Sequence, residues 1–223
     1  MCAYGSALVC LLMALAYSST RSYGDSGAVV TPSGSSAMSA GGVAVEASGR
    51  SSADGVTVAG IPAYDRSEWL PGWSDDDGDG LDTRAEVLDQ ESLTEVVLSR
   101  TGKVLSGRWV CPYTGVVYDS AYALDIEHVV PLKEAHVSGG WAWSTAKKRR
   151  YSNYLGMRSH LQAVGKSSNR SKGDRRPDEW LPPYRQYRCS YVRDWVAVKR
   201  LWGLSMAPRE RAVVDSVLSA CGG

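Results

Sequence analysis

Three histidines stand in the 223 residues, and one of them has neighbours suited to chemistry. His128 follows Glu127 directly in the run Asp125-Ile126-Glu127-His128-Val129-Val130-Pro131. Downstream come His160-Leu161-Gln162-Ala163-Val164 and then Asn169-Arg170-Ser171-Lys172-Gly173-Asp174. An imidazole that is neutral near pH 7 suits the activation of water, which makes His128 the candidate general base. A hard cation prefers oxygen ligands, and Glu127 and the Asn169 carboxamide supply them. One carboxylate and one amide form a sparse set that leaves room for waters and a phosphate, as Mg²⁺ requires. These are the groups that phosphodiester hydrolysis needs: an activated water and stabilised charge on the phosphoryl oxygens. Lys172, three residues beyond Asn169, is the candidate to steady a substrate backbone. His136 lacks such neighbours and is assigned to structure or surface.

These residues must be carried by elements the pattern also predicts. Asp82 is placed to cap a helix running through Thr83, Arg84, Val87 and Leu88 toward Leu93. Lys103–Val110 and Val116–Tyr118 read as short strands around a Pro112-Tyr113-Thr114-Gly115 turn. Ala123–Val130 reads as a strand ending at the Glu-His pair, and His160–Val164 as another. Between them lies a long, partly helical excursion over His136–Gly156. Ser167–Asp174 is a short helix that carries Asn169 and Lys172. Tyr187, Tyr191, Trp195, Val198 and Trp202 recur at three- and four-residue spacings, which predicts an amphipathic helix stopping at Gly203. Pro208 opens a last helix ending near Cys221. In an ideal strand, adjacent residues point to opposite faces, so Glu127 and His128 could not both face one phosphate.

An acidic residue followed by His, a hydrophobic pair and Pro, with an Asn-Arg-x-Lys helix downstream, resembles the HNH (His-Me finger, ββα-metal) nucleases. The nearer resemblance is to secreted members similar to the C-terminal domain of the GmrSD restriction enzyme. It extends over about Trp73 to Cys221. The stretches that carry it include Asp82-Thr83-Arg84-Ala85-Glu86-Val87-Leu88, Pro112-Tyr113-Thr114-Gly115, Trp180-Leu181-Pro182-Pro183 and Cys189-Ser190-Tyr191. The resemblance implies an α+β fold with a ββα-metal core and added helices. It implies a metal-dependent endonuclease, with products carrying 5′-phosphate and 3′-hydroxyl ends. It also implies a strand end or loop at Glu127-His128 where alternation breaks down. Three departures stand out. His160 holds a place where Asn braces the loop after the first strand, so His160 is expected to brace or to act as a third metal ligand. Glu127 replaces the more familiar Asp. Leu81 and Gly102 stand where secreted relatives are expected to have cysteines.

Charge is unevenly spread. Residues 1–100 hold 5 Lys/Arg and 14 Asp/Glu, and residues 101–223 hold 20 and 10. A basic half of that size suits a polyanion, with nucleic acid first among partners. Arg170, Arg175 and Arg176 are candidate phosphate contacts, as is the run Lys147–Arg150, which reads equally as a solvated face. Arg84 is a further candidate, although a buried arginine bonding backbone carbonyls is the competing reading. Asp75-x-Asp77-x-Asp79-Gly80 followed by Glu86 matches a calcium-loop spacing. Against it, Trp69-Leu70-Pro71-Gly72 cannot supply the incoming helix, and a solvated acidic turn is the alternative.

Ala7–Ala16 is an apolar block before a small-residue stretch, which fits a secretory leader over residues 1–19 despite an n-region without Lys or Arg. Residues 20–55, rich in Gly, Ser and Ala, read as a disordered linker. The nuclease domain is then 56–223. No apolar run reaches the ~20 residues of a membrane span. Cys2 and Cys10 would leave with the leader. Cys189 and Cys221, in the two C-terminal helical patterns, are the expected disulfide. Cys111 is then a buried thiol or a partner for another molecule. The expectation is a secreted, monomeric endonuclease using one divalent ion, Mg²⁺ first and Mn²⁺ next, on DNA ahead of RNA. A toxin role would add an immunity partner. The rival class is a non-catalytic extracellular protein that binds calcium and polyanions.

Overall fold

A computed structural model describes residues 60–222. The leader (1–19), the linker (20–55) and the expected domain start at 56 lie outside the described residues. Asp65 caps a single turn, α1 (Arg66–Trp69), which stops ahead of Pro71. Asp82 then caps α2 (Thr83–Glu91) by accepting from the Ala85 N–H at 2.8 Å. Three antiparallel strands come next: β1 (Val97–Leu98), β2 (Val104–Val110) and β3 (Val117–Ser120), in that spatial order. Gly115, at φ +73°, closes the β2–β3 turn with its N–H 2.8 Å from the Cys111 carbonyl.

A 3-10 turn, Ala121–Ala123, feeds β4 (Leu124–His128). The expected strand to Val130 ends two residues sooner, because Val129-Val130-Pro131 leads into α3 (Leu132–Val137). The expected excursion contains the end of α3, a 3-10 turn and α4 (Thr145–Ser152). β5 (Leu161–Gly165) returns antiparallel to β4, pairing Leu124 with Gly165 and His128 with Leu161. α5 (Lys166–Lys172) begins at once, and α6 (Arg188–Trp202) and α7 (Pro208–Ala220) complete the chain. The architecture is α+β, with no helix among the described residues long and apolar enough to cross a membrane.

Two apolar clusters hold these elements. Leu124, Ile126, Leu161 and Ala163 of the β4–β5 pair pack with Val87 and Leu88 of α2 and with Trp109 of β2. The Trp109 indole N–H donates to the Leu88 carbonyl at 2.7 Å, so this ring is buried with its polar atom satisfied. The second cluster joins Trp69, Tyr113, Tyr151, Tyr191 and Trp195. Here α6 and α7 are bridged by the expected disulfide, Cys189–Cys221, with Cα atoms 5.8 Å apart. Lys199 of α6, buried, bonds Glu134 of α3 at 2.7 Å and Glu210 of α7 at 2.6 Å. That triad ties the segment after β4 to the C-terminal helices. Cys111 is buried and unbridged, and its sulfur accepts the Gly165 N–H at 3.4 Å.

Candidate active site

Among the described residues β4 has a strand partner on one side only, and its other edge borders the site. The N–H of Gly165 goes to Cys111 and that of Ala163 to the Glu91 carboxylate, so both point away from β4. Their opposite numbers, Leu124 and Ile126, therefore direct their backbone groups to the free edge. Arg84 donates to the Leu124 carbonyl and the Ala121 carbonyl there, each at 3.0 Å. Farther along the strand, a cavity of about 350 Å³ is lined by Ile126, Glu127, His128, Asn169, Arg66 and Arg170, among others.

α5 lies along β4 and meets it rung by rung. The Asn169 Nδ2 donates to Asp125 Oδ2 at 3.0 Å. One turn on, Lys172 Nζ donates to Glu127 Oε1 and to the His128 carbonyl, the latter at 3.3 Å. Positions 169 and 172 share a helix face, as 125 and 127 share a strand face. Asp125, which the sequence reading misses, is the partner of Asn169 behind the cavity lining. Its signal is its place two residues before Glu127, on the same side of the strand. Burial pushes the Glu127 carboxyl above its ordinary value, and Lys172 partly offsets the shift. Burial likewise pushes Lys172 down, opposed by Glu127.

β4 ends at the Glu-His pair, the strand end that the resemblance implies, and the two side chains have different neighbours. Glu127 faces α5, while the His128 ring lies nearly parallel to those of Trp73 and Tyr151, at 12° and 8°. Both residues reach one cavity because it opens at the strand edge and because the strand stops at His128. His128 is 5% exposed. Its Nε2 is 2.9 Å from the Ser152 carbonyl, which can only accept, so Nε2 carries the proton and Nδ1 keeps the lone pair. Burial, reinforced by His160, pushes this imidazole well below its ordinary value, so it is neutral. His160 is fully buried outside the cavity lining, with Nε2 2.7 Å from the Tyr151 carbonyl. Its own carbonyl accepts the Val129 N–H at 3.1 Å. The ring thus bonds the end of α4, and His160 is not among the residues that line the cavity. Burial pushes its imidazole down to about 4.

Several expected contacts take other places. Lys172 is 0% exposed and so does not reach a substrate backbone; its ammonium is spent on Glu127 and His128. Arg84 is engaged with the two β4-edge carbonyls, which is a structural role. Arg170 lines the cavity and Arg175 bonds the Lys172 carbonyl, both from exposed positions. The 147–150 run is divided: Lys148 turns inward to Glu68 at 2.5 Å, and Arg149 and Arg150 face solvent. His136 is buried, its Nε2 2.8 Å from the Pro62 carbonyl. Arg66 is hidden from sequence reasoning because it stands far upstream, in a one-turn helix. Asp75, Asp77 and Asp79 gather exposed carboxylates within 4.8 Å of one another, and Glu86 stands outside that group. Burial, then Asp77 and Asp79, push the Glu86 carboxyl up.

Fold and site together define an α+β domain in which a histidine, acidic residues and an asparagine share one cavity at a strand edge. Residues 82–211 match the family of GmrSD restriction endonucleases, C-terminal domain, and the chain belongs to that family. An uncharacterized secreted protein of Arthroderma benhamiae is 37% identical over 139 residues, covering 62% of this chain and 67% of the relative. Secretion, read from the leader, is the location this relative's description also gives. No solved structure matches the chain.

Proposed function

We propose that the protein is a secreted, metal-dependent endonuclease of the HNH type, in which β4, β5 and α5 form the ββα-metal unit. The observation that carries this reading is the His128 tautomer. Nε2–H is held by the Ser152 carbonyl and His128 lines the cavity shared with Glu127 and Asn169; in this reading the free Nδ1 lone pair serves that cavity. The donor set at the cavity fits a hard divalent ion: Glu127 offers carboxylate oxygens, and the Asn169 amide donates to Asp125 through Nδ2, leaving its carbonyl oxygen free. Glu127 and Asn169, with Asp125 behind them, would hold Mg²⁺ or Mn²⁺. When bound, such an ion supplies Lewis-acid stabilisation of charge on the phosphoryl oxygens.

The chain's own residues do the rest. His128 Nδ1 takes a proton from water, whose oxygen bonds to phosphorus as the P–O3′ bond breaks. The products carry a 5′-phosphate and, after protonation from solvent, a 3′-hydroxyl. Lys172 is a positioning residue that holds the Glu127 carboxylate and the His128 backbone. His160 braces the loop after β4. Arg66 and Arg170, at the cavity wall, contact flanking phosphates without reading bases. The described domain comes after a leader and linker in the secreted monomer, and DNA is the favoured substrate.

The test is plasmid nicking with Mg²⁺ or Mn²⁺, with and without EDTA, beside His128→Ala. Removing a general base costs about 10²–10⁴-fold in rate. Metal-dependent nicking that falls by this factor supports the reading. Intact DNA and RNA in every lane sink it. The Asp75–Asp77–Asp79 cluster favours one second reading, a calcium- and polyanion-binding protein, which predicts calcium uptake without cleavage.

A further inference from the structure

We infer that Tyr122 and the cavity beside it form a stacking subsite for an unpaired nucleobase, which directs the protein toward single-stranded nucleic acid. The inference deepens the nuclease reading and rests on it for its place on the substrate path. Tyr122 is 84% exposed, the highest value among the large apolar side chains described. It sits in the 3-10 turn that feeds β4. Arg84 clamps that turn through the carbonyls of Ala121 and Leu124. Lys166, the first residue of α5, stands over one face of the ring, with Nζ 3.8 Å from its centroid. With that face covered by the ammonium and the side chain so exposed, the opposite face is open to solvent.

The neighbouring cavity, about 410 Å³, has the chemistry of a nucleotide slot. Its floor is apolar, from Ala85, Leu88 and Val104, and Tyr122 forms a wall. Lys103 and Arg84 supply positive charge at its sides, with Lys166 just beyond the ring. The one carboxylate in the lining, Asp82, is already committed to the N-terminus of α2. A flat apolar ring with a phosphate attached matches this combination of aromatic wall and cationic rim.

The subsite and the candidate active site share an edge. Leu124, whose carbonyl Arg84 holds, and His128 are four strand residues apart, about 13 Å along β4. Lys166, Asn169 and Lys172 advance along α5 in the same direction, one turn at a time. A strand with its cleaved phosphate at His128 therefore reaches Tyr122 within a few nucleotides. In a duplex the bases are paired and stacked on one another, so only an unpaired segment offers a face to the tyrosine.

The test measures binding apart from cleavage. In EDTA, fluorescence anisotropy with fluorescein-labelled oligothymidylate, oligouridylate and a blunt mixed-sequence DNA duplex is compared for the full secreted protein, Tyr122→Ala and Tyr122→Phe. Loss of one stacked base weakens single-strand binding by about 5- to 150-fold in Tyr122→Ala. Tyr122→Phe should stay near wild type, and duplex binding should not change. The two single strands separate DNA from RNA preference. The subsite is overturned if wild type binds neither single strand, if Tyr122→Ala binds like wild type, if Tyr122→Phe fails like Tyr122→Ala, or if duplex binding falls equally. The nuclease reading fails separately. A protein that binds through Tyr122 but cleaves nothing with metal keeps the subsite and loses the catalysis.

Discussion

Lys172→Met removes the cation bonded to the Glu127 carboxylate, and the burial of both groups sets the cost. Lys172 is 0% exposed and Glu127 only 6%, so neither charge can turn to water in place. Breaking one side of such a pair costs about 3–5 kcal/mol, since the charge left behind keeps its desolvation penalty. Glu127 can avoid part of that cost by taking a proton. Its carboxyl already lies above the ordinary 4.5 through burial, with Lys172 the main force lowering it. Without Lys172 it rises further. A raised carboxyl contributes stability that is fully present below its unfolded value and lost as pH rises through the folded one. Lys172→Met should therefore lose little stability in acid and most of the 3–5 kcal/mol at alkaline pH. The double variant Lys172→Met/Glu127→Leu has no charge to strand, so it should recover much of the loss and show little pH dependence. Urea unfolding monitored by tryptophan fluorescence, on the four proteins of the cycle at acid and alkaline pH, gives the coupling directly. The reasoning is refuted if Lys172→Met loses the same stability at both pH values, or if the double variant is no more stable than the single.

Two more predictions use groups whose titration is displaced. Burial pushes the Glu91 carboxyl up to about 7, so the stability it contributes is present below 4.5 and lost as pH rises through 7, up to about 3 kcal/mol. Glu91→Gln keeps an acceptor for the Ala163 N–H at the outer edge of β5; urea midpoints should be nearly flat across that window and higher than wild type above it. His160 is displaced the other way, to about 4 from 6.5 by burial, so the stability it contributes is present above 6.5 and lost as pH falls through 4. His160→Asn should remove that acid sensitivity in thermal melts and leave the metal requirement for cleavage unchanged. A raised metal requirement would mean that His160 is a ligand rather than a brace.

What the sequence made legible was local. Asp82 announces α2 because a short acidic side chain before a helix has one obvious use, accepting a first-turn N–H. α6 shows itself through Tyr191, Trp195, Val198 and Trp202, and Gly203 ends it at φ +68°, a conformation that glycine adopts without penalty. The Glu-His pair and Asn169 were recognisable as a set, and they do meet at one cavity. The rest was hidden where a residue's meaning depends on a partner far along the chain. A lysine three residues past a candidate ligand reads as a phosphate contact; Glu127, 45 residues away, turns Lys172 inward instead. Lys148 and Lys199 repeat the lesson with Glu68, Glu134 and Glu210. Asp125 was passed over because its partner Asn169 lies 44 residues downstream.

The segment between β4 and β5 shows why the site needs more than a strand pair and a helix. Ser152 is the last residue of α4, and Tyr151 the one before it, so their carbonyls lie beyond the reach of the helix's own N–H groups. His128 takes the Ser152 carbonyl at 2.9 Å. His160 takes the Tyr151 carbonyl at 2.7 Å, where the backbone offers only the Tyr154 N–H at 3.4 Å. One helix end thus sets the tautomer of both rings. The same two bonds pull each imidazole toward protonation, since a carbonyl at a helix C-terminus carries partial negative charge, but burial outweighs them. The outcome is a neutral ring whose proton is held at Nε2 and whose Nδ1 is left to act. Trp73 and Tyr151 lie nearly parallel to that ring, with centroids 5.9 Å and 6.1 Å away. In the proposed mechanism the segment between the two strands therefore has a part: it supplies the acceptor that holds the Nε2 proton and an aromatic neighbour for the ring.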